Sequence, residues 1–189
     1  MTWLIAGLIL FLGVHSLAIV GLRPKLINQW GLSLYRALYA AMSLVGLVLI
    51  ARGYASARLS PVVLFEAPHA LHLLVVALLA PVFPFALAST LDCRLRTRLK
   101  HPLLVAIKLW ALAHLLANGT LAGTLLFTSF LAWAVLTRIS LKRRTGSVRV
   151  TILGVGKFGD AVAVVGGLAL YYAFLTGWHY ALIGVAPLG

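Results

Sequence analysis

Two of the six histidines, His15 and His114, lie in the middle third of long apolar stretches of the sequence. An ionisable side chain is costly inside a membrane-spanning helix, and where one occurs it indicates a functional site. A neutral imidazole is also the commonest metal ligand among side chains. The pair therefore predicts a metal site with both histidines as ligands. The other four histidines lie nearer the ends of apolar stretches: His69, His72, His101 and His179.

The two histidines are expected to approach a common depth in the bilayer. They belong to the first and fourth apolar stretches, which cross in opposite directions, and each side chain leans toward the N-terminus of its own helix. Small residues near both would leave room for a flat group: Ala18, Ala111 and Ala117. Two histidines about a porphyrin's thickness apart in a helical bundle are typical of haem binding. The same pattern also suits two buried histidines hydrogen-bonded to carbonyls, or to Ser16 and Asn118.

If the pair binds haem, three further residues are expected to support it. Ser16 lies beside His15, and Asn118 lies one helical turn beyond His114, so both are placed to orient an imidazole. Arg36 is a candidate for pairing with a haem propionate. The Cα atoms of the two histidines should then lie about 12 Å apart, because each imidazole binds the one metal at ~2 Å.

The elements that must position these residues are membrane helices. Hydrophobic residues make up 62% of the 189 residues, which is more apolar surface than a soluble domain of this size can cover. Since about 20 apolar residues cross a bilayer core, the sequence predicts an all-α fold, a polytopic transmembrane bundle of about six helices in one domain over residues 1–189. The six apolar stretches lie near residues 3–22, 34–51, 69–90, 103–119, 121–138 and 161–183. Pro81 and Pro84 are expected to kink the third, and Asn118 to Thr120 should form a tight turn.

The basic residues predict how these helices are oriented. Sixteen Lys and Arg residues against three acidic ones give a formal net charge of +13. Most of them lie in the first, third and fifth loops, and only Arg52 and Arg58 lie in the second. This asymmetry predicts that those three loops are cytoplasmic and that both termini lie outside. Basic clusters between apolar stretches indicate the lipid bilayer as partner, with anionic lipid, and argue against nucleic acid.

Two further patterns have simpler interpretations than a functional site. Gly154 to Gly159 spells G-x-G-x-x-G, but the pattern has no βαβ unit around it and no acidic residue about 20 positions on. A turn that enters the sixth helix is the favoured interpretation. His69 and His72 are spaced to share a helix face near the outer surface, where solvated histidines are favoured over a metal site.

Several blocks of sequence, taken in order, carry a family resemblance. They are Gly13-Val-His15-Ser16-Leu-Ala18 before Arg23-Pro24, then Tyr35-Arg36, then Lys100-His101-Pro102 with Leu109-Trp110-Ala-Leu-Ala-His114-Leu-Leu-Ala-Asn118-Gly119, and last His179-Tyr-Ala-Leu-Ile-Gly184-Val-Ala-Pro187-Leu-Gly. In these blocks the chain resembles the NnrU family, named for a membrane protein associated with nitrite and nitric oxide reduction in denitrifying bacteria. The family is similar to the plastid zeta-carotene cis-trans isomerase, whose haem b is held by histidines.

The resemblance implies a haem b protein of the bacterial cytoplasmic (inner) membrane, with His15 and His114 as ligands. It implies a role in nitrite and nitric oxide metabolism, with the nitrogen-oxide reductase machinery as partner. A haem-dependent isomerase of a carotenoid-like substrate and a haem-free structural membrane protein stay open as alternatives. The isomerase has a cysteine where this chain has Ala111, so chemistry that needs a thiolate near the iron is not expected. A faint likeness to isoprenylcysteine-type membrane methyltransferases at Lys100-His101-Pro102 lacks the acidic residues that those enzymes need, since only Asp160 follows.

Overall fold

The computed structural model describes residues 1–66, 68–143 and 156–187, apart from the side chain of His69, and these residues form helices joined by short turns. The helices are α1 (Thr2–Ser16), α2 (Arg23–Trp30), α3 (Leu32–Leu59), α4 (His72–Leu79), α5 (Val82–Ala88), α6 (Arg94–Leu99), α7 (Pro102–Ala117), α8 (Leu121–Arg143), α9 (Gly159–Ala173) and α10 (His179–Ile183). A π-helical turn, Phe174–Trp178, joins α9 to α10. The all-α prediction is confirmed for these residues. The G-x-G-x-x-G pattern begins outside them, and its end forms a 3₁₀ turn, Gly156–Phe158.

Three helical segments in the described part of the chain are long and apolar enough to cross a membrane. They are Leu32–Leu59, Leu121–Arg143 and Gly156–Ile183, and the shorter apolar segments are Thr2–Ser16, His72–Ala88 and Pro102–Ala117. Large apolar side chains on the long helices face outward: Leu44 is 63% exposed and Val165 is 69% exposed. Such exposure suits lipid far better than water, because apolar surface left in water is unfavourable. The count of six spans stays a prediction.

The first predicted span differs most from the structure. The sequence predicts a helix over residues 3–22, whereas α1 ends at Ser16 and a turn follows it. The Leu17 carbonyl accepts hydrogen bonds from the amides of Leu22 and Arg23, at 3.0 and 3.2 Å. Gly21 makes this turn possible with φ of 73°, a conformation that glycine adopts at little cost. The next residues, predicted as a loop, form the short helix α2.

Two predicted interruptions are confirmed. The third apolar stretch divides into α4 and α5 at Pro81, since proline lacks an amide hydrogen and clashes with the preceding turn. The turn at Asn118 to Thr120 lies between α7 and α8. An extended segment fixes this turn, because the Leu64 amide donates to the Gly119 carbonyl at 2.7 Å and the Leu121 amide donates to the Val62 carbonyl at 2.8 Å.

The chain divides into two compact units, each made of two separate stretches of sequence. The first contains residues 1–67 and 114–144, and within it α1 packs along α3 and, over a shorter length, on α8. Glycines allow the backbones of α1 and α3 to approach closely. A Cβ on Gly7 would lie 2.6 Å from the Ile50 nitrogen, and one on Gly53 would overlap the backbone of Leu4. Small residues at such contacts are the usual means of close helix packing in membranes.

The second unit contains residues 68–113 and 145–189 and is organised around α5 and α9. The two helices run antiparallel: Gly167 packs against Pro84, and Gly159 packs against Asp92 and Cys93. Near the other end of this pair the Tyr171 hydroxyl donates to the Val76 carbonyl at 2.8 Å. This pairing brings the segment after α5 to the beginning of α9.

Candidate functional site

His15 is held by its own helix in a defined orientation. Its Nδ1 lies 2.7 Å from the carbonyl oxygen of Phe11, one turn earlier in α1. A carbonyl only accepts, so Nδ1 donates in this bond, and Nε2 is the ring nitrogen left to bind a metal. The Phe11 ring stacks on the imidazole with 4.2 Å between ring centroids. A histidine fixed through one nitrogen in this way is the usual form of a metal-binding imidazole.

A cavity of about 310 Å³ opens beside His15, within the first unit. Its lining combines the histidine, one small residue and polar side chains from α2 and α3: Val14, His15, Ala18, Arg23, Tyr35, Arg36 and Tyr39. Tyr35 is buried and Tyr39 is half-buried, with its ring centroid 5.2 Å from that of His15. The structure therefore brings three of the residues singled out in the sequence, His15, Ala18 and Arg36, to one cavity.

A buried donor lies near the same histidine. Trp133 of α8 meets the His15 ring edge-on, with 6.0 Å between ring centroids and 85° between ring planes. Among the described residues its buried indole N–H has no hydrogen-bond partner. An unsatisfied buried donor is costly unless a ligand completes it. The residues that line the cavity fit one side of a haem site: an imidazole held through Nδ1, a small residue and two arginines.

His114 lies beside a different part of α8. Its ring packs on Phe127 with 4.7 Å between centroids, and Phe127 in turn meets Tyr54 of α3. Phe127 and Trp133 are six residues apart, which is about 9 Å along a helix. His15 and His114 therefore contact α8 at positions about 9 Å apart along its axis. Their pairing across one metal stays a prediction.

Ser16 and Asn118, the two residues expected to orient the imidazoles, lie at the C-terminal ends of α1 and α7. The Asn118 side chain donates to the main-chain carbonyl of His114 at 3.0 Å, not to the ring. The Asn118 main-chain amide donates to the same carbonyl at 2.9 Å, so both bonds end α7 at this residue. Ser16 is the last residue of α1 and is not part of the cavity lining.

Four residues around His15 are not among the predicted site residues. Arg23 entered as a loop charge and in the blocks that carry the family resemblance, but not as a site residue, and Phe11, Tyr39 and Trp133 were not considered. A signal was present for two of them, because Phe11 is four residues before His15 and Tyr39 is four residues after Tyr35, so each pair shares a helix face. Trp133 had no such signal, since its place depends on how α8 packs on α1.

Comparisons with known proteins identify the family. No curated protein and no solved structure matches the chain. The family model described as NnrU protein matches residues 3–187, nearly the whole length. The chain therefore belongs to the NnrU family.

Proposed function

We propose that this NnrU family member is an integral membrane haem b protein that supports nitrite and nitric oxide metabolism. The observation that carries the proposal is His15 itself. Its Nδ1 is fixed by the Phe11 carbonyl, its ring borders a cavity, and two arginines line the same cavity. The metabolic role is supported by the family to which the chain belongs.

The residues assigned to the cofactor have separate tasks. His15 and His114 would each supply a neutral imidazole nitrogen to the iron. Arg23 and Arg36 would pair with the propionates as charge-assisted hydrogen-bond donors. Haem b held by two histidines supplies one-electron chemistry, whose potential depends on the ligands and on burial. Arg23 and Arg36 are exposed, so the propionates would face the edge of the site rather than its interior.

The same proposal includes the arrangement in the membrane. We place six spans in the bacterial cytoplasmic membrane with both termini outside, on the support of the loop charges. The three shorter apolar segments would be the first, third and fourth spans. Helix α1 covers only about 22 Å by itself, less than a bilayer core of ~30 Å. The apolar residues 17–20 of the turn would complete the first span.

Enzyme fusions test this orientation. Alkaline phosphatase, which is active only outside the cytoplasm, should be active when fused after Gly189 and inactive when fused after Arg144. Both positions lie outside the described residues, and the reason for the expectation is the basic fifth loop and the uncharged C-terminal stretch. A fusion active after Arg144 and silent after Gly189 would contradict the orientation and the even number of spans.

The function is tested first by colour and then by physiology. Protein purified in detergent should show a Soret band with b-type α and β bands, and a colourless preparation from a haem-replete host would refute the cofactor.

In a denitrifying host, deleting the gene should impair growth on nitrite or nitric oxide reduction at low oxygen. Unchanged growth and gas production would refute the metabolic role. Accumulated cis-carotenoids in the mutant would instead indicate the isomerase alternative.

A further inference from the structure

A second cavity lies far along the sequence from His15 and is not used by the proposed haem site. It has a volume of about 480 Å³ and belongs to the second unit, between α6 and the beginning of α9. Its lining is almost entirely polar or charged: Asp92, Cys93, Arg94, Thr97, Arg98, Gly156, Lys157 and Asp160. Three cations and two carboxylates around one space indicate a ligand that is itself charged.

The walls of this cavity are fixed by packing. Gly159 lies so close to Asp92 and Cys93 that a Cβ there would overlap the Asp92 carbonyl. Beneath them Cys93 packs in a small core with Ala88, Leu91 and Ala163. The buried Arg96 donates to the Leu91 carbonyl at 3.2 Å and so holds the chain between α5 and α6. The backbone beneath the cavity is thus fixed by the folded unit, while the three cations that line it are exposed.

The cations converge on this space. Arg94 and Arg98 are four residues apart on α6, so they share a helix face, and Lys157 reaches the cavity from the turn before α9. Asp160 is already engaged, because its Oδ1 accepts from the Leu95 amide at 2.8 Å. Among the described residues, none of the three cations forms an ion pair with either carboxylate. The cavity therefore keeps an excess of positive charge for a ligand.

The neighbouring helices indicate the depth at which this cavity lies. No Lys, Arg, Asp or Glu occurs in residues 68–91 before it or in residues 161–187 after it. The cavity marks the point at which the antiparallel pair α5 and α9 changes from apolar to strongly charged. In a membrane protein that point is the boundary between hydrocarbon and water, where the phosphates of lipid headgroups lie.

We propose that this cavity binds the phosphate group of a membrane phospholipid through Arg94, Arg98 and Lys157. Arginine suits this task because its planar guanidinium donates two parallel hydrogen bonds to phosphate oxygens. Asp92, also in the lining, would accept a hydrogen bond from a headgroup hydroxyl. A glycerol headgroup fits both requirements, and a choline headgroup, which has no hydrogen-bond donor, does not.

Thermal unfolding of the full-length protein in a non-ionic detergent tests the proposal. Short-chain phosphatidylglycerol should raise the unfolding temperature in a saturable manner and by more than phosphatidylcholine of the same chain length. Arg94→Gln with Arg98→Gln should weaken the apparent affinity for phosphatidylglycerol about tenfold or more, because charge-assisted bonds are lost. The matched control removes the same charge elsewhere: Lys142→Gln with Arg143→Gln, at the end of α8, should bind as the wild type does.

Further variants and a second ligand distinguish the possible explanations of each result. Arg94→Lys with Arg98→Lys keeps the charge and should retain part of the binding. Should the double glutamine variant fail to fold, Lys157→Gln changes an exposed residue and should still weaken the affinity several-fold. Inorganic phosphate at equal ionic strength should not raise the unfolding temperature comparably. If it raises the unfolding temperature as much as phosphatidylglycerol does, and the same variants lose this rise, the site binds free phosphate and the lipid proposal is refuted. Equal effects of the two lipids on the wild type, or equal losses in the control, would overturn the site itself.

Discussion

Replacing His15 or His114 by alanine should abolish the low-spin bis-histidine absorption spectrum and lower the haem content of the purified protein. Each substitution removes one of the two imidazoles proposed to bind the iron, and a single remaining ligand neither gives that spectrum nor holds the cofactor as tightly. The measurement is the absorption spectrum in detergent, with haem quantified against protein. His15 should be at least as sensitive as His114, because the Phe11 carbonyl already fixes its tautomer for binding.

The other histidines provide matched controls. His101→Ala and His179→Ala also remove an imidazole but lie in the second unit, and the Nδ1 of His179 is already 2.7 Å from the Val185 carbonyl. These two variants should keep the wild-type spectrum, as should variants of His69 and His72. An unchanged spectrum in either His15→Ala or His114→Ala would refute the paired-ligand proposal, and loss of haem in all the variants would indicate general unfolding.

Gly53→Ala should destabilise the protein more than any other single methyl group added to α3. A Cβ at this position would overlap the backbone nitrogen of Leu4, and a backbone cannot move aside as a flexible side chain does. The two helices would have to separate, and overpacking of this kind costs about 1–3 kcal/mol, sometimes more. The measurement is thermal or denaturant unfolding in detergent, compared with the wild type.

Gly13→Ala provides the control for this effect. Gly13 is also a helical glycine of the first unit, but a Cβ there would meet no atom within 4 Å. Alanine is the better helix former by up to ~1 kcal/mol, so this variant should be as stable as the wild type or slightly more stable. Equal stability of Gly53→Ala and wild type would show that α1 and α3 do not approach as closely as the structure has them.

Much of the fold can be predicted from the pattern of apolar residues. Where the prediction is wrong, there is a physical cause. The break at Pro81 and the turn at Asn118 were predictable because proline and short polar residues act locally. The end of α1 was not, because residues 17–20 are as apolar in a turn as in a helix and hydropathy does not distinguish the two. Close contact of α1 with α3 had a partial signal, since Gly46 and Gly53 lie seven residues apart and share a face.

The candidate site was predictable only where one helix positions the residues. His15 was found because an ionisable group inside an apolar stretch is costly and therefore informative, and Arg36 was found as a cation that could pair with a haem propionate. The surroundings of His15 come from α2, α3 and α8 as well as from its own helix, and no local pattern predicts that Trp133 of α8 meets its ring. The distance between His15 and His114 likewise depends on how helices distant in sequence pack, so the absorption spectra of the histidine variants test the pairing directly.

The division of the first unit into two separate stretches of sequence has a consequence for the order of synthesis. Helices α1 and α3 leave the ribosome early and have each other as partners at once. Helix α8, which supplies Trp133 and Phe127, follows only after all of residues 68–113 have been made. Until then one side of His15 lacks its final neighbour, although its bond to Phe11 can already form. Any haem that bound during insertion would therefore meet an incomplete site, and the arrival of α8 would complete the surroundings of His15.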